Sequence, residues 1–272
     1  MLGIYDSGIG GVTVLNEIKK ELPDLSFQYL ADKDFFPLGE KSIDEIQRRV
    51  TLASSFLFQN GCDLIVLACN TAGVNSIRYL QNVWLREKKF KNKQILSITK
   101  PFTEEIEKKL AKNKKALGLL LATRATYRSA FYQYELTHCG FGNIVFAKAE
   151  NLAGAIEEND FKKSERILRE IFKNDLNFKQ PNFILLACTH YPLIQNQIKQ
   201  IFNQRALIID PAKPTARKLK LYLERHQEYK LPKNQKPDIF WISKNSDEIK
   251  ANIGKFYQSD NYKIKKVDLP FG

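Results

Sequence analysis

Two of the four cysteines, Cys69 and Cys188, occupy matching sequence contexts that could support acid/base chemistry. An apolar run at 64–68 leads into Cys69-Asn70-Thr71, and a second run at 183–187 leads into Cys188-Thr189-His190. A single cysteine after such a run is usually a small buried side chain. Two cysteines in equivalent places, each followed by hydrogen-bonding side chains, favour a shared chemical role. Cys62 and Cys139 lack this setting, and we interpret them as structural.

Two thiols that face each other across a pocket suit a reaction in which a proton leaves one face of a carbon and returns to the other. Such a racemisation needs a base on one face and an acid on the opposite face, and the roles exchange in the reverse direction. A thiol can serve both roles because its pKa lies close enough to working pH for both protonation states to exist. We expect Asp6 beside one thiol, and His190 with an acidic residue beside the other.

Short apolar runs alternate with amphipathic stretches along the whole chain, which predicts strands separated by helices. The predicted strands are residues 2–5, 26–30, 63–68, 94–98, 116–121, 143–147, 182–187, 206–209 and 238–242. Helix-period stretches, such as Val12, Leu15, Ile18 and Leu22, lie between most of them. This alternation predicts an α/β fold with mainly parallel sheets that are covered on both sides.

The two halves of the chain also resemble each other. The two cysteines are offset by 119 residues (188 − 69), and the strands that open at Leu2 and Leu117 are offset by 115 (117 − 2). We therefore predict two pseudo-symmetric α/β domains, each presenting a cysteine at the carboxyl end of a strand, with the active site between them. Prolines near 98–102 and 210–214 mark the expected crossovers. The first domain would then be residues 1–98 plus 212–272, and the second 99–211.

A glycine-rich segment, Asp6-Ser7-Gly8-Ile9-Gly10-Gly11, follows the first strand and opens a helix. Its backbone amides could bind an anion, or the segment could be a plain tight turn. The glycine spacing does not fit a dinucleotide-binding loop. Because the Asp6 carboxylate would repel a pyrophosphate, we expect it to face an ammonium group or a catalytic thiol instead.

The amino-acid composition and the net charge indicate to which broad class the protein belongs. Hydrophobic residues make up 43% and charged residues 27% of the 272, which is a normal globular mixture. The net charge of +13 comes from 32 lysines and 11 arginines spread along the chain, which favours a solvated surface over specific nucleic-acid binding. No apolar run is long enough for a membrane-spanning helix, and the N-terminal residues do not resemble a signal peptide. We therefore expect a cytoplasmic protein, in which free thiols are the default. With three histidines and no C-x-x-C pair, we expect no metal site.

Four segments together resemble motifs of the glutamate racemase family, within the aspartate/glutamate racemase superfamily. They are Asp6-Ser7-Gly8-x-Gly10-Gly11, Ala68-Cys69-Asn70-Thr71-Ala72, Cys188-Thr189-His190-Tyr191-Pro192-Leu193 and Thr123-x-x-Thr126-x-x-Ser129-x-x-Tyr132. The resemblance runs over nearly the whole chain. It implies two α/β domains with glutamate bound between them, no cofactor, and in many members a homodimer. It also implies a role in supplying D-glutamate for peptidoglycan, and so in cell-wall biogenesis and cell shape.

The resemblance also implies roles for individual residues. Cys69 and Cys188 would be the acid/base pair, assisted by Asp6 and His190, and Glu157 looks like the auxiliary glutamate of the family. The expected substrate-binding residues are Ser7, Pro37, Leu38, Gly39, Asn70, Thr71, Thr123, Thr126 and Thr189.

One departure from the family concerns the substrate side chain. The family has Pro-Tyr-Gly-Thr-Lys where this chain has Pro37-Leu38-Gly39-Glu40-Lys41, so that a phenol is absent and a carboxylate is gained. A Glu40 side chain directed into the site would repel a γ-carboxylate. Two alternatives therefore stand beside a glutamate racemase. One is a racemase of the same superfamily for a different amino or hydroxy acid, and the other is a non-catalytic binder of small acids or nucleic acid on a decayed racemase fold.

Overall fold

A computed structural model describes residues 1–86, 90, 92–229, 237–243 and 247–269 of the chain. The strands in this part are β1 (Leu2–Asp6), β2 (Phe27–Ala31), β3 (Leu64–Leu67), β4 (Gln94–Ser97), β5 (Gly118–Ala122), β6 (Ile144–Lys148), β7 (Phe183–Ala187), β8 (Leu207–Ile209), β9 (Asp238–Ile242) and β10 (Tyr262–Lys266). The helices are α1 (Val12–Glu21), α2 (Ile43–Gln59), α3 (Asn70–Asn82), α4 (Thr99–Leu110), α5 (Arg124–Arg128), α6 (Phe131–His138), α7 (Leu152–Glu157), α8 (Phe161–Asn174), α9 (Gln195–Phe202), α10 (Ala212–Arg225) and α11 (Asp247–Phe256).

The strands form two separate parallel sheets. The first has six strands in the order β10-β9-β2-β1-β3-β4, and the second has four in the order β6-β5-β7-β8. Every strand pair is parallel, so all carboxyl ends of one sheet lie at the same edge. The prediction of an α/β fold with parallel sheets is confirmed.

The strand order shows the internal repeat directly. The order β2-β1-β3-β4 in the first sheet recurs as β6-β5-β7-β8 in the second. In this correspondence β3, which precedes Cys69, matches β7, which precedes Cys188. Both cysteines therefore follow the strand beside the central β1 or β5, and this equivalence explains the similar offsets in the sequence.

Each sheet is buried on both faces by apolar side chains. Two core clusters lie on opposite sides of the first sheet, for example around Ile4 and Val66 on one side and Ile65 and Leu67 on the other. Two further clusters flank the second sheet. Burial on both faces explains why these strands appear as continuous apolar runs in the sequence rather than as alternating patterns.

All nine predicted strands exist, and their bounds differ by two residues or fewer from those expected. The tenth, β10, was missed. Its sequence, Tyr-Lys-Ile-Lys-Lys, alternates apolar and charged residues because β10 is the outer strand of the first sheet and is partly exposed. Lysines on an outer strand hinder pairing with a second molecule, so part of the positive charge of the chain has a structural use here.

The helices that follow the two expected crossovers pack against different sheets. Buried side chains of α4, including Phe102 and Ile106, belong to a core cluster of the second sheet. Buried side chains of α10, including Ala216 and Leu219, pack in the core beside the first sheet. The boundaries 1–98 plus 212–272 and 99–211 stay a prediction, and residues 87–89, 91, 230–236, 244–246 and 270–272 lie outside the described part. Within that part, no helix is both long and apolar enough to cross a membrane.

A buried ion pair fixes the loop that follows β2. The Arg49 guanidinium donates from Nε and Nη2 to the two carboxylate oxygens of Asp32 at 2.7 and 2.6 Å, and from Nη1 to the Leu269 carbonyl at 2.7 Å. The Tyr5 hydroxyl donates to the same carboxylate at 3.2 Å. Asp32 and Arg49 are almost completely buried, so each charge depends on the other.

The substitution Arg49→Met should lower the free energy of unfolding by about 3–5 kcal/mol, because it leaves the Asp32 carboxylate buried without its cation. Adding Asp32→Asn should recover part of the loss. Denaturant titration measures both effects. Arg169→Met is the matched control, since Arg169 and Glu165, whose side chains are 65% and 44% exposed, form an ion pair of 2.7 Å on the surface of α8. That change should cost less than about 1 kcal/mol, and an equal loss in both single variants would contradict the prediction.

Candidate active site

A cavity of about 380 Å³ lies between the carboxyl ends of the two sheets. Both Cys69 and Cys188 line it, and each is 6% exposed. The predicted site residues that line it are Ser7, Pro37, Leu38, Gly39, Cys69, Thr71, Thr123, Cys188, Thr189 and His190. The repeat therefore brings two cysteines, 119 residues apart in sequence (188 − 69), to one cavity.

Cys69 immediately precedes α3 and has a carboxylate in its surroundings. Its sulfur lies 3.7 Å from the Ser7 hydroxyl. Burial, and after it the charge of Asp6, raises the pKa of the Cys69 thiol to about 12, against the opposing effects of the Ala72 amide and Ser7. Cys69 is therefore held as a thiol unless a cation comes close to it.

Cys188 has a histidine beside it and a carboxylate behind that histidine. The Cys188 sulfur lies 3.8 Å from Nδ1 of His190, and Nε2 of His190 lies 2.5 Å from Oε2 of Glu157. Burial alone would lower the pKa of His190, but hydrogen bonds to Cys188 and Glu157 raise it well above its usual value. His190 thus keeps its proton, with Nε2 donating to Glu157 and Nδ1 directed at the sulfur.

Glu157 receives donors from both halves of the molecule. The Ile9 amide donates to Oε2 at 3.3 Å, and the Lys33 ammonium lies 3.0 Å from Oε1. Although burial raises the pKa of this carboxyl, the hydrogen bond and charge of His190 and the charge of Lys33 lower it to about 2. Glu157 is therefore a carboxylate at neutral pH.

Asp6 lies at the contact between the halves rather than directly on a thiol. Its carboxylate accepts hydrogen bonds from the Gly8 amide at 2.9 Å and from the Thr189 hydroxyl at 3.0 Å. Burial raises the pKa of Asp6 from 3.8 to about 6, against the opposing charge of His190. The side chain in direct contact with Cys69 is Ser7, so Asp6 acts on that thiol through its charge.

Three threonine hydroxyls form a hydrogen-bonded cluster, and two of them belong to Thr71 and Thr123, which line the cavity. The Thr71 hydroxyl lies 2.8 Å from that of Thr123 and 3.1 Å from that of Thr126. Asn70 stands next to this cluster and accepts a hydrogen bond from the Tyr132 hydroxyl at 2.6 Å. This bond fixes the orientation of the amide, and the buried Nδ2 has no hydrogen-bond partner among the described residues. The group is rich in donors that can bind a carboxylate.

Four predicted residues, Asp6, Asn70, Thr126 and Glu157, do not line the cavity. Asp6, Thr126 and Glu157 hydrogen-bond to residues that do, whereas the Asn70 side chain bonds to Tyr132. Several lining residues were not predicted from the sequence: Lys33, Phe36, Ala149, Asn151, Ala153, Gly154, Glu158 and Lys163. Lys33 and Phe36 are the two that contact the predicted site residues Glu157 and His190. Both follow the carboxyl end of β2, close before Pro37. The rule that ligands bind at strand carboxyl ends could have found them, but an Asp-Lys-Asp sequence is more typical of a solvated turn.

Comparison with known proteins decides the family. The Asp/Glu/Hydantoin racemase family matches residues 11–219. The chain belongs to this family. A protein named glutamate racemase from Roseobacter denitrificans is 34% identical over 234 residues, which cover 83% of this chain and 86% of that protein. The crystal structure of a glutamate racemase isoform from Bacillus anthracis has a TM-score of 0.84 and 25% identity, and it covers 100% of this chain and 98% of its own. The glutamate racemase of Aquifex pyrophilus has a TM-score of 0.74 and 27% identity over 97% of both chains.

In this racemase-family protein the Glu40 side chain does not project freely into the cavity. Glu40 is exposed at the cavity edge, and its carboxylate lies 3.6 Å from Nη1 of Arg124 on the opposite half. Nε of Arg124 also lies 3.7 Å from the Glu150 carboxylate. The predicted repulsion of a γ-carboxylate is therefore offset by an arginine.

No group of three or more histidine, cysteine or acidic residues in the described part of the racemase is arranged to hold a metal. The expected absence of a cofactor stays a prediction.

The glycine-rich segment of the racemase packs against the other half of the molecule. A Cβ atom on Gly10 would lie 2.6 Å from Nδ1 of His190, and one on Gly8 would lie 2.9 Å from Oε2 of Glu157. The amides of Gly8 and Ile9 donate to the Asp6 and Glu157 carboxylates. The segment thus binds anions, as one interpretation expected, but in this structure the anions are carboxylates of the protein.

We expect Gly10→Ala to lower the free energy of unfolding by about 1–3 kcal/mol, because the added methyl group must displace the His190 ring or separate the halves. Gly142→Ala is the control, since a Cβ at Gly142 meets no atom within 4 Å. Thermal and denaturant unfolding of the two variants test this expectation. Equal stability of the two variants would show that the segment does not constrain how the halves approach.

Proposed function

We propose that this protein is a glutamate racemase that uses Cys69 and Cys188 as a paired acid and base. The observation that carries the proposal is that both thiols line one cavity, at equivalent strand ends of two pseudo-symmetric halves. Relatives named glutamate racemase, including one that is 34% identical over most of the chain, support glutamate as the substrate.

The reaction needs one proton to leave the α-carbon and another to arrive on its opposite face. One cysteine, as thiolate, removes the α-proton, and the electron pair of the broken C–H bond is delocalised toward the α-carboxylate. The other cysteine, as thiol, then delivers its proton to the opposite face. One proton enters and one leaves, and there is no net redox change, so the side chains present can perform the transfers without pyridoxal phosphate or a metal.

The surroundings of the two thiols suit opposite starting roles. His190 directs an N–H at the Cys188 sulfur, which favours Cys188 as the proton acceptor. Cys69 has its pKa raised to about 12 by burial and by Asp6, which favours it as the proton donor. For the reverse direction, the ammonium group of a bound amino acid would offset the Asp6 charge and make the Cys69 thiolate accessible.

The polar groups of the cavity fit a substrate with two carboxylates and one ammonium group. We assign the hydroxyls of Thr71, Thr123 and Thr126 and the Asn70 amide to substrate carboxylates, because they form one group of donors, of which Thr71 and Thr123 line the cavity. Ser7 and Thr189 lie beside the two thiols and would hold the substrate near the α-carbon. Pro37, Leu38 and Gly39 close the cavity on the side of the β2 loop.

A glutamate racemase would supply D-glutamate for peptidoglycan, and we propose that role for this protein in the cytoplasm. We also propose that it works as a homodimer and without specific nucleic-acid binding. These three proposals rest on the family resemblance and on the even distribution of lysine.

The pairing of Arg124 with Glu40 leads to a prediction about substrate affinity. Arg124→Gln should raise KM for glutamate about threefold or more with little change in kcat, because the Glu40 charge would then face the anionic substrate uncompensated. The double variant with Glu40→Gln should restore KM. Arg169→Gln removes an exposed pair with Glu165 and serves as the control. An unchanged KM in Arg124→Gln would contradict the inference that Arg124 compensates the charge of Glu40 at the cavity edge.

The overall proposal is tested by proton exchange. Incubation with L-glutamate in deuterated water should replace the α-proton signal and produce D-glutamate, and a chelator should not stop it. Exchange with a different amino acid, but not glutamate, would favour another racemase of the superfamily. No exchange with any amino acid or hydroxy acid would favour a non-catalytic binder.

The roles of the two cysteines can be separated by elimination. Cys69→Ser and Cys188→Ser should each abolish racemisation, because a hydroxyl is too weak an acid to replace the thiol. With β-chloroglutamate, deprotonation alone releases chloride, so each variant should still eliminate from one enantiomer. The two variants should prefer opposite enantiomers. By the family resemblance Cys69 acts on the D form and Cys188 on the L form. Elimination from the same enantiomer by both would disprove the paired mechanism.

A further inference from the structure

Lys33 is a partly buried lysine at the cavity that has no role in the mechanism above. It follows β2 in the first half of the molecule, and its ammonium lies 3.0 Å from Oε1 of Glu157 in the second half. The Lys33 side chain is 19% exposed and the Glu157 side chain 2% exposed. The pair is therefore largely removed from water, where the loss of one partner matters more than on the surface.

The contact continues to the second thiol through three links. Lys33 binds Oε1 of Glu157, Oε2 of Glu157 binds Nε2 of His190 at 2.5 Å, and Nδ1 of His190 lies 3.8 Å from the Cys188 sulfur. The two carboxylate oxygens are thus held by cations on opposite sides. With both oxygens fixed, the carboxylate plane is fixed, and with it the orientation of the imidazole.

A second contact joins the same loop to the same histidine. The Lys33 ammonium lies 4.5 Å from the centre of the Phe36 ring, and that ring lies 5.5 Å from the His190 ring. His190 is therefore held at one ring edge by Glu157 and packed against Phe36, and both of those groups contact Lys33.

We propose that Lys33 is a positioning residue that holds Glu157 and, through it, His190 in place beside Cys188. The inference rests on the proposed function, because it assigns Lys33 to the proton transfer that Cys188 performs. Lys33 has no direct part in the transfer by Cys69, whose hydrogen-bonding contact is with the Ser7 hydroxyl.

Because Lys33 is linked to Cys188 and not to Cys69, its loss should affect only the transfer by Cys188. Loss of a residue with a general structural role would affect both transfers. In the Cys69→Ser protein, elimination of chloride from β-chloroglutamate depends on Cys188, and in the Cys188→Ser protein it depends on Cys69. Adding Lys33→Met should lower kcat about tenfold or more in the first protein, as expected for loss of a charge-assisted contact. It should change kcat less than about twofold in the second. Each parent is assayed with the enantiomer that it prefers.

Two further variants make the comparison specific. Lys33→Arg keeps the positive charge and should restore most of kcat in the Cys69→Ser protein. Lys93→Met is the matched control, because Lys93 is 23% exposed, pairs with Asp63 at 2.6 Å and lies over the Phe58 ring, away from the cavity. It should leave elimination in both parents unchanged. Should Lys33→Met fail to fold, Lys33→Gln removes the charge with a smaller change in polarity and takes its place.

The outcomes distinguish the inference from the function on which it rests. An equal fall of kcat in both parents would overturn the positioning role in favour of a general structural one. A raised KM with unchanged kcat in both parents would overturn it in favour of direct substrate binding. If neither parent eliminates chloride from either enantiomer, the paired-cysteine function is contradicted and the inference falls with it.

Discussion

The buried carboxylate of Glu157 constrains the approach of the two halves. A charge that is 2% exposed must be compensated, and its partners come from both sides of the cavity. His190 belongs to the same half, whereas Lys33 and the Ile9 amide belong to the other. These contacts form only when the halves approach closely, so compensation of this one charge favours the arrangement that brings both thiols to one cavity.

Other polar contacts also join the two halves near the site. Thr189 donates to Asp6, Thr71 bonds to Thr123, and Tyr132 donates to Asn70. Thr189, Thr71 and Thr123 line the cavity, where a substrate would also need donors. Under the proposed function, binding of substrate carboxylates would add acceptors to donors that already join the halves. Closure of the halves and binding of substrate would then stabilise each other.

The sequence was informative where burial is uniform and less so where one side chain meets another across space. Nine strands were predictable because central parallel strands are apolar on both faces, and the repeat identified the two cysteines. Strand β10 was missed because an outer strand carries lysines. The contact of Lys33 with Glu157 was not predictable, since no periodicity relates a charged turn to a helix 124 residues later (157 − 33). The expected neighbour of Cys69 was Asp6, whereas the atom in contact belongs to Ser7.

The backbone of the site is symmetric, but its electrostatics are not. Equivalent strands present both thiols, yet one has a buried carboxylate near it and the other a protonated imidazole. A reaction that removes a proton on one face and returns one on the other needs one thiol protonated and one deprotonated at the start. Two identical environments would make either thiol equally able to hold the proton, so the pair would have no preferred starting arrangement. Under the proposed function, the different neighbours of Cys69 and Cys188 would set the choice in advance, and the buried network around Glu157 would maintain the difference.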